Sequence, residues 1–128
     1  MQIQRVMNTP PASVLATVCL EDAARHMADA GVGALPVVDG DDVIGIVTDR
    51  DLVVRAMARR LPQQTRVEAI RSPPRTVEAD TAVAFAIIKM PAAQVRHLPV
   101  VAEGRFVGMV SFDDLFRQLT QELGDLAA

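Results

Sequence analysis

Two tetrads hold the side chains best suited to chemistry: Thr48-Asp49-Arg50-Asp51 and Ser111-Phe112-Asp113-Asp114. In each, a hydroxyl stands three places before a carboxylate, directly after an apolar, strand-like run (Gly-Ile-Val before Thr48, Gly-Met-Val before Ser111). A carboxylate accepts through two oxygens and can receive both hydroxyls of a ribose. Where such a tetrad opens a helix, free amides and a partial positive charge favour an anion. The same spacing also fits a helix capping box, although the usual partner there is Glu or Gln. Both roles can coexist.

The elements that must position these tetrads are written twice. Leu35–Leu52 reads LPVVDGDDVIGIVTDRDL and Leu98–Leu115 reads LPVVAEGRFVGMVSFDDL, a separation of 63 (98 − 35). At that separation the alignment runs without a gap from Gln4 to Leu52, and 16 of 49 pairs are identical, far above chance. Pro10-Pro11 fall on Pro73-Pro74, Val14 on Val77, Met27 on Met90 and Gly45 on Gly108.

Each copy predicts a Pro-Pro turn, a short extended piece and an amphipathic helix. Leu20, Ala23, Ala24, Met27 and Ala28 mark the first helix; Val83, Ala86, Ile87 and Met90 mark the second. Gly31 is placed to stop one, and Pro91 to end or kink the other. A hairpin of β-branched runs follows, then a closing helix over 49–60 or 112–123. Gly45 and Gly108 interrupt the second hairpin strands, which marks a bulge or a close approach by another backbone or a ligand. The fold class is therefore α+β: two tandem β-α-β-β-α repeats related by a pseudo-twofold axis. Residues 1–61 form the first, 62–68 a linker and 69–128 the second. One copy of this size is marginal alone, so the two are expected to share a core.

The chain has 128 residues and a net charge of −3, consistent with one module. Mild acidity and the lack of Tyr and Trp argue against nucleic-acid binding. The N-terminus has no signal-peptide pattern, and no apolar run reaches membrane-spanning length, so a cytoplasmic location is expected. The lone Cys19 excludes an internal disulfide and reads as a small hydrophobe at a helix start. His26 reads as surface or interface, and the turn Asp39-Gly40-Asp41-Asp42 lacks calcium-loop spacing. Apolar stripes on the closing helices, Val53, Met57 and Leu61 and then Phe116, Leu119 and Leu123, offer a twofold dimer interface; the other reading is internal core. Nothing pairs a nucleophile with a base, and no Gly-rich phosphate loop is present, so catalysis is not expected.

The order β-α-β-β-α with GALPVVD…GIVTDRDL and VRHLPVV…VGMVSFDDL resembles a tandem pair of cystathionine β-synthase (CBS) domains over nearly the whole chain. The resemblance implies a sensor without catalysis. An adenine nucleotide (AMP, ADP or ATP) or S-adenosylmethionine would bind in clefts between the repeats of a homodimer, and a separate regulated protein would read the change. No cofactor is required. Carried over, Thr48, Asp51, Ser111 and Asp114 would hold ribose. Arg96 and His97, just before the second Leu-Pro-Val, would hold phosphate opposite Thr48 and Asp51, with Arg50 as an added cation. Ile44, Ile46, Val107 and Met109 could wall a purine. The reciprocal cleft would pair Ser111 and Asp114 with uncharged Gly33 and Ala34, so the first cleft is expected to take the phosphorylated ligand. The competing reading is a dimeric scaffold whose clefts stay empty.

Overall fold

Short β-branched runs separated by turn residues set the strands of both copies. In the computed structural model, which describes residues 1–92 and 96–127, the first copy comprises β1 (Val14–Leu15), α1 (Leu20–Ala30), β2 (Ala34–Asp39), β3 (Asp42–Thr48) and α2 (Asp49–Asp51). The second comprises β4 (Val77–Glu78), α3 (Val83–Ala92), β5 (His97–Ala102), β6 (Arg105–Ser111) and α4 (Phe112–Ala127). The order β-α-β-β-α is the one the repeat predicts. Each copy has a three-stranded sheet, β1-β2-β3 or β4-β5-β6. In each sheet the short strand runs parallel to the middle one, and the hairpin is antiparallel.

The helices bury most of the residues their spacing marks, but Ala24 and Ala28 of the first are exposed. α1 buries Leu20, Ala23 and Met27, and Gly31 closes it in the left-handed region at φ 67°. α3 buries Val83, Ala86, Ile87 and Met90. It continues one residue past Pro91, to Ala92; the segment where a kink was expected extends over 93–95, outside the described residues. The closing helix of the first copy departs from a regular α-helix. After α2 the chain widens into a π-helix, Leu52–Met57, and the Ala58 amide donates to the Val53 carbonyl five residues back at 2.9 Å. β-Branched Val53 and Val54, which crowd an α-helical turn, lie in this wider turn. α4 is regular over its whole length.

Both hairpins carry a bulge at the same place. Val37 faces Gly45 and Val38 faces Val43, leaving Ile44 as the extra residue. Val100 faces Gly108 and Val101 faces Phe106, leaving Val107. An extra residue reverses the alternation of faces. Ile44 and Val107 therefore turn back to pack on the core clusters of their own copies.

The segments leading into the copies are exchanged. Contacts divide the chain into two units: Ala12–Pro74, and Met1–Pro11 with the chain from Arg75 onward. The residues that precede the second copy thus complete the first, and the residues that precede the first copy complete the second. In the first unit the 3₁₀ turn Val67–Ala69 buries Val67, and Ser72 pairs with Ile46 through hydrogen bonds of 3.3 and 2.9 Å. In the second, the 3₁₀ turn Ile3–Arg5 buries Ile3, and Asn8 pairs with Met109 through bonds of 2.8 and 3.2 Å. The leaders thereby cover the outer edges of β3 and β6. Among the described residues, each unit has its own cluster of buried apolar side chains. The leaders supply the cover that a bare copy lacks.

The leaders also sit one residue out of step with the sequence alignment. Val67 takes the place of Ile3 and Ser72 that of Asn8, a separation of 64 (67 − 3, 72 − 8), whereas their partners Ile46 and Met109 are 63 apart. The identical Pro-Pro pairs hold the alignment at 63, but the leaders do not follow it. Among the described residues no helix is long and apolar enough to cross a membrane.

Candidate functional site

β3 and β6 each deliver the chain from a bulged, Gly-containing strand straight into a helix. At the first junction Thr48 is the N-cap, in extended backbone at φ −116° and ψ 165°. Its Oγ1 accepts from the Asp51 amide at 3.1 Å, and its own amide donates to Asp51 Oδ2 at 2.9 Å. This is a reciprocal capping box closed by Asp in place of Glu. The Asp51 side chain is only 14% exposed, and Arg55 Nη1 lies 3.8 Å from its Oδ1. Oδ1 thus keeps lone pairs for a hydroxyl donor. Asp49 turns towards Gly33, where a methyl group would stand 3.0 Å from Asp49 Oδ2. The Asp49 amide donates to the Gly33 carbonyl at 2.9 Å.

The second junction has the same backbone and different side-chain partners. Ser111 Oγ accepts from the Asp114 amide at 3.1 Å. The Asp114 carboxylate, 32% exposed, lies 3.5 Å from Arg117 Nη1 and accepts a long 3.5 Å hydrogen bond from Asn8 Nδ2. The Phe112 amide donates to the Arg96 carbonyl at 2.8 Å, the counterpart of the Asp49–Gly33 bond. Arg96 itself is engaged within its own copy: Nη2 is 3.1 Å from Asp113 Oδ1, and its guanidinium carbon stands 5.4 Å from the Phe112 ring. His97 faces Ser111 in the β5–β6 register. Arg50 is exposed, with its amide donating to Asp49 Oδ1 at 2.8 Å.

These junctions match a known pattern. The family model for the CBS domain matches residues 3–57 and again 67–121. The chain is a pair of CBS domains. Among its relatives, Hypoxic response protein 1 of Mycobacterium tuberculosis is 34% identical over 119 residues, covering 91% of this chain and 83% of that one. A solved structure of Hypoxic Response Protein I with two coordinated zinc ions superposes with a TM-score of 0.84 at 31% identity, over 91% and 98% of the two chains. The CBS domain protein PAE2072 of Pyrobaculum aerophilum, complexed with AMP, gives 0.87 at 28% identity over 98% and 99%. The CBS domain pair of protein MJ0100, in complex with 5′-methylthioadenosine and S-adenosylmethionine, gives 0.84 at 25% identity over 95% and 98%.

Within this CBS pair the four strand positions named as purine walls fall into two groups. Ile44 and Val107 pack on their own cores, because the bulge turns them inward. Ile46 and Met109 are half-buried and lie beside the leaders. The helix stripes also divide. Val53, Met57, Phe116 and Leu123 are exposed, Met57 by 73%. Leu61 follows the turn that Arg60 closes at φ 59° and packs on the first core; Leu119 packs on the second beside Leu115. Asp39, Asp41, Asp42 and His26 are exposed, and among the described residues no group of three or more His, Cys, Asp or Glu could hold a metal.

Sequence reading missed three features of the CBS pair. One is the pairing of Asn8 with Asp114, across 106 residues. Another is the seat of Arg71 on Gly45. The third is a cavity of about 300 Å³ between β4 and α3 of the second copy, with Thr76, Val77, Thr81, Phe85, Lys89 and Leu98 in its lining. Lys89 Nζ stands 4.8 Å from the Phe85 ring centre there. Thr81, Phe85 and Lys89, at steps of four, are the one signal that could have marked it.

Proposed function

We propose that this CBS pair is a regulatory module that binds an adenine nucleotide or adenosyl compound and catalyses no reaction. The observation that carries this reading is the Asp51 carboxylate. It is mostly buried at a strand-to-helix junction, with one oxygen fixed by the Thr48 amide and the other open to a ribose hydroxyl. The AMP and S-adenosylmethionine complexes of structurally similar CBS proteins support the ligand class. In this reading Thr48 and Asp51, and Ser111 and Asp114, hold ribose. Arg96, His97 and Arg50 hold phosphate, and Ile46 and Met109 contribute apolar surface to the base. The exposed Val53, Met57, Phe116 and Leu123 belong to a homodimer interface, and a cytoplasmic partner protein reads the ligand state. For a ligand to bias that partner, it must bind two states with different affinity.

A second reading has its own support. The capping box already engages the Thr48 hydroxyl and one Asp51 carboxylate oxygen without any ligand, as a dimeric scaffold would require. Asp51→Asn separates the two, because its side-chain oxygen can still accept the Thr48 amide while the charge that receives hydroxyls is gone. Thermal shift with AMP, ADP, ATP and S-adenosylmethionine is expected to stabilise the wild type with at least one of them. The same compound should give little or no shift in Asp51→Asn. No shift of the wild type by any of the four favours the scaffold.

A further inference from the structure

We infer that Arg71 is the residue by which the first junction selects a phosphorylated nucleoside over a neutral one; the inference rests on the nucleotide-binding reading above. Its side chain lies across β3 at Gly45, where a methyl group would stand 2.8 Å from Arg71 Cδ and 3.0 Å from Cγ. The backbone of the next residue, Ser72, is pinned to Ile46 by two hydrogen bonds. The stem is therefore held on the strand that ends at Thr48, while the residue as a whole is exposed. Arg71 has no ion-pair partner among the described residues. Arg96 is paired with the exposed Asp113, and Arg55 lies near Asp51. An anchored guanidinium with its fork free is well suited to a phosphate, since little rotamer freedom remains to be lost.

The second unit supplies an internal control. Because the leaders run one residue out of step, the structural counterpart of Arg71 is Met7, not the aligned Asn8. Met7 Sδ and Cγ would stand 2.5 and 2.9 Å from a methyl group on Gly108, and Met7 also packs on the second core. The same seat thus holds a cation in one unit and a thioether in the other. Beside Asp114 the leader offers the neutral amide of Asn8. Selection for phosphate is built into the first leader-to-strand contact and absent from the second.

Isothermal titration with AMP and with adenosine tests the inference, because the two probes share base and ribose and differ only in the phosphate. Arg71→Met copies the second unit into the first, and Arg71→Lys keeps the charge without the fork. Arg71→Met is expected to weaken AMP by about tenfold or more, the scale of a hydrogen-bonded charge contact, while adenosine affinity holds. Arg71→Lys is expected to fall between. Circular dichroism melting of each variant should match the wild type.

An unchanged ratio of AMP to adenosine affinity in Arg71→Met overturns the inference, whether both affinities hold or both fall together. If Asp51→Asn loses both probes while Arg71→Met loses neither, the nucleotide site stands and Arg71 alone is wrongly assigned. If the wild type binds neither AMP nor adenosine, the nucleotide reading and the inference fall together.

Discussion

The two junctions share a backbone and differ in what their carboxylates do. Asp51 is folded back onto Thr48 in a closed capping box with Arg55 nearby. Asp114 reaches outward, to Asn8 of the leader and to Arg117 of its own helix. Duplication fixed the hydroxyl, the acid and the helix start in both copies. The surroundings then diverged at the positions that touch them: Asp49 against Phe112, Gly33 against Arg96, Arg71 against Met7. A duplicated fold keeps its geometry through the backbone pattern and specialises through its contacts. The two junctions should therefore answer the same substitution with different magnitudes.

The glycines of β3 and β6 should show the widest gap. A Cβ on Gly45 would lie 2.5 Å from the Ser72 carbonyl oxygen, and that oxygen belongs to backbone already pinned to Ile46. Relief requires the leader to lift from the strand. A Cβ on Gly108 meets Met7 Sδ at 2.5 Å, the far part of a flexible side chain, and backbone only at 3.1 Å from Asn8. Gly45→Ala is expected to cost about 2–3 kcal/mol, as overpacking of a rigid contact does, and Gly108→Ala nearer ~1 kcal/mol. Urea unfolding of the two variants measures both. Equal costs would show that the leaders yield alike and that the close approach at Gly45 is not rigid.

The caps come next. Thr48→Ala removes the hydroxyl that accepts the Asp51 amide and breaks the reciprocity of the box. Ser111→Ala removes one acceptor, beside an acid already turned to Asn8 and Arg117. Loss of an N-cap costs about 0.5–2 kcal/mol. Thr48→Ala should fall in the upper half of that range and Ser111→Ala in the lower half, read from the same denaturation curves. The reverse order would mean that the Asp114 network, not the closed box, is the stronger cap.

How much of this was legible follows from which signals are local. Hydrophobic period, turn residues and the repeat itself gave the β-α-β-β-α order, the buried face of α3 and the Leu20, Ala23 and Met27 part of that of α1, and the role of Gly45 and Gly108 as points of close approach. The exchanged leaders were hidden, because the Pro10-Pro11 and Pro73-Pro74 identity held the alignment in a register the leaders do not share. The bulge was half visible: a Gly announced it, but nothing local says that Ile44 rather than Val43 is the extra residue. The stripe Val53, Met57, Leu61 divides because Leu61 lies beyond the turn that Arg60 closes and packs on the first core, a chain reversal that spacing alone does not announce. The pairing of Asp114 with Asn8 and of Arg96 with Asp113 depends on contacts across the fold, which no local spacing encodes.

The smallest expected effect is also the most specific to the comparison. Arg96 and Asp113 form an exposed ion pair, with side chains 68% and 73% accessible. Such a pair adds at most about 0.5 kcal/mol to stability at this exposure, so Asp113→Asn should barely move the melting temperature. Its consequence for binding has a definite sign. An anionic ligand that recruits Arg96 must displace Asp113, and the carboxylate repels a phosphate besides. Asp113→Asn removes both obstacles and leaves the Phe112 ring under the guanidinium. AMP affinity should rise by roughly twofold, the change that about 0.5 kcal/mol of released pairing provides, and adenosine affinity should stay level. A rise for both probes would instead mark a general loosening of the second junction. A fall for AMP alone would show that Asp113 positions Arg96 for the phosphate instead of competing for it.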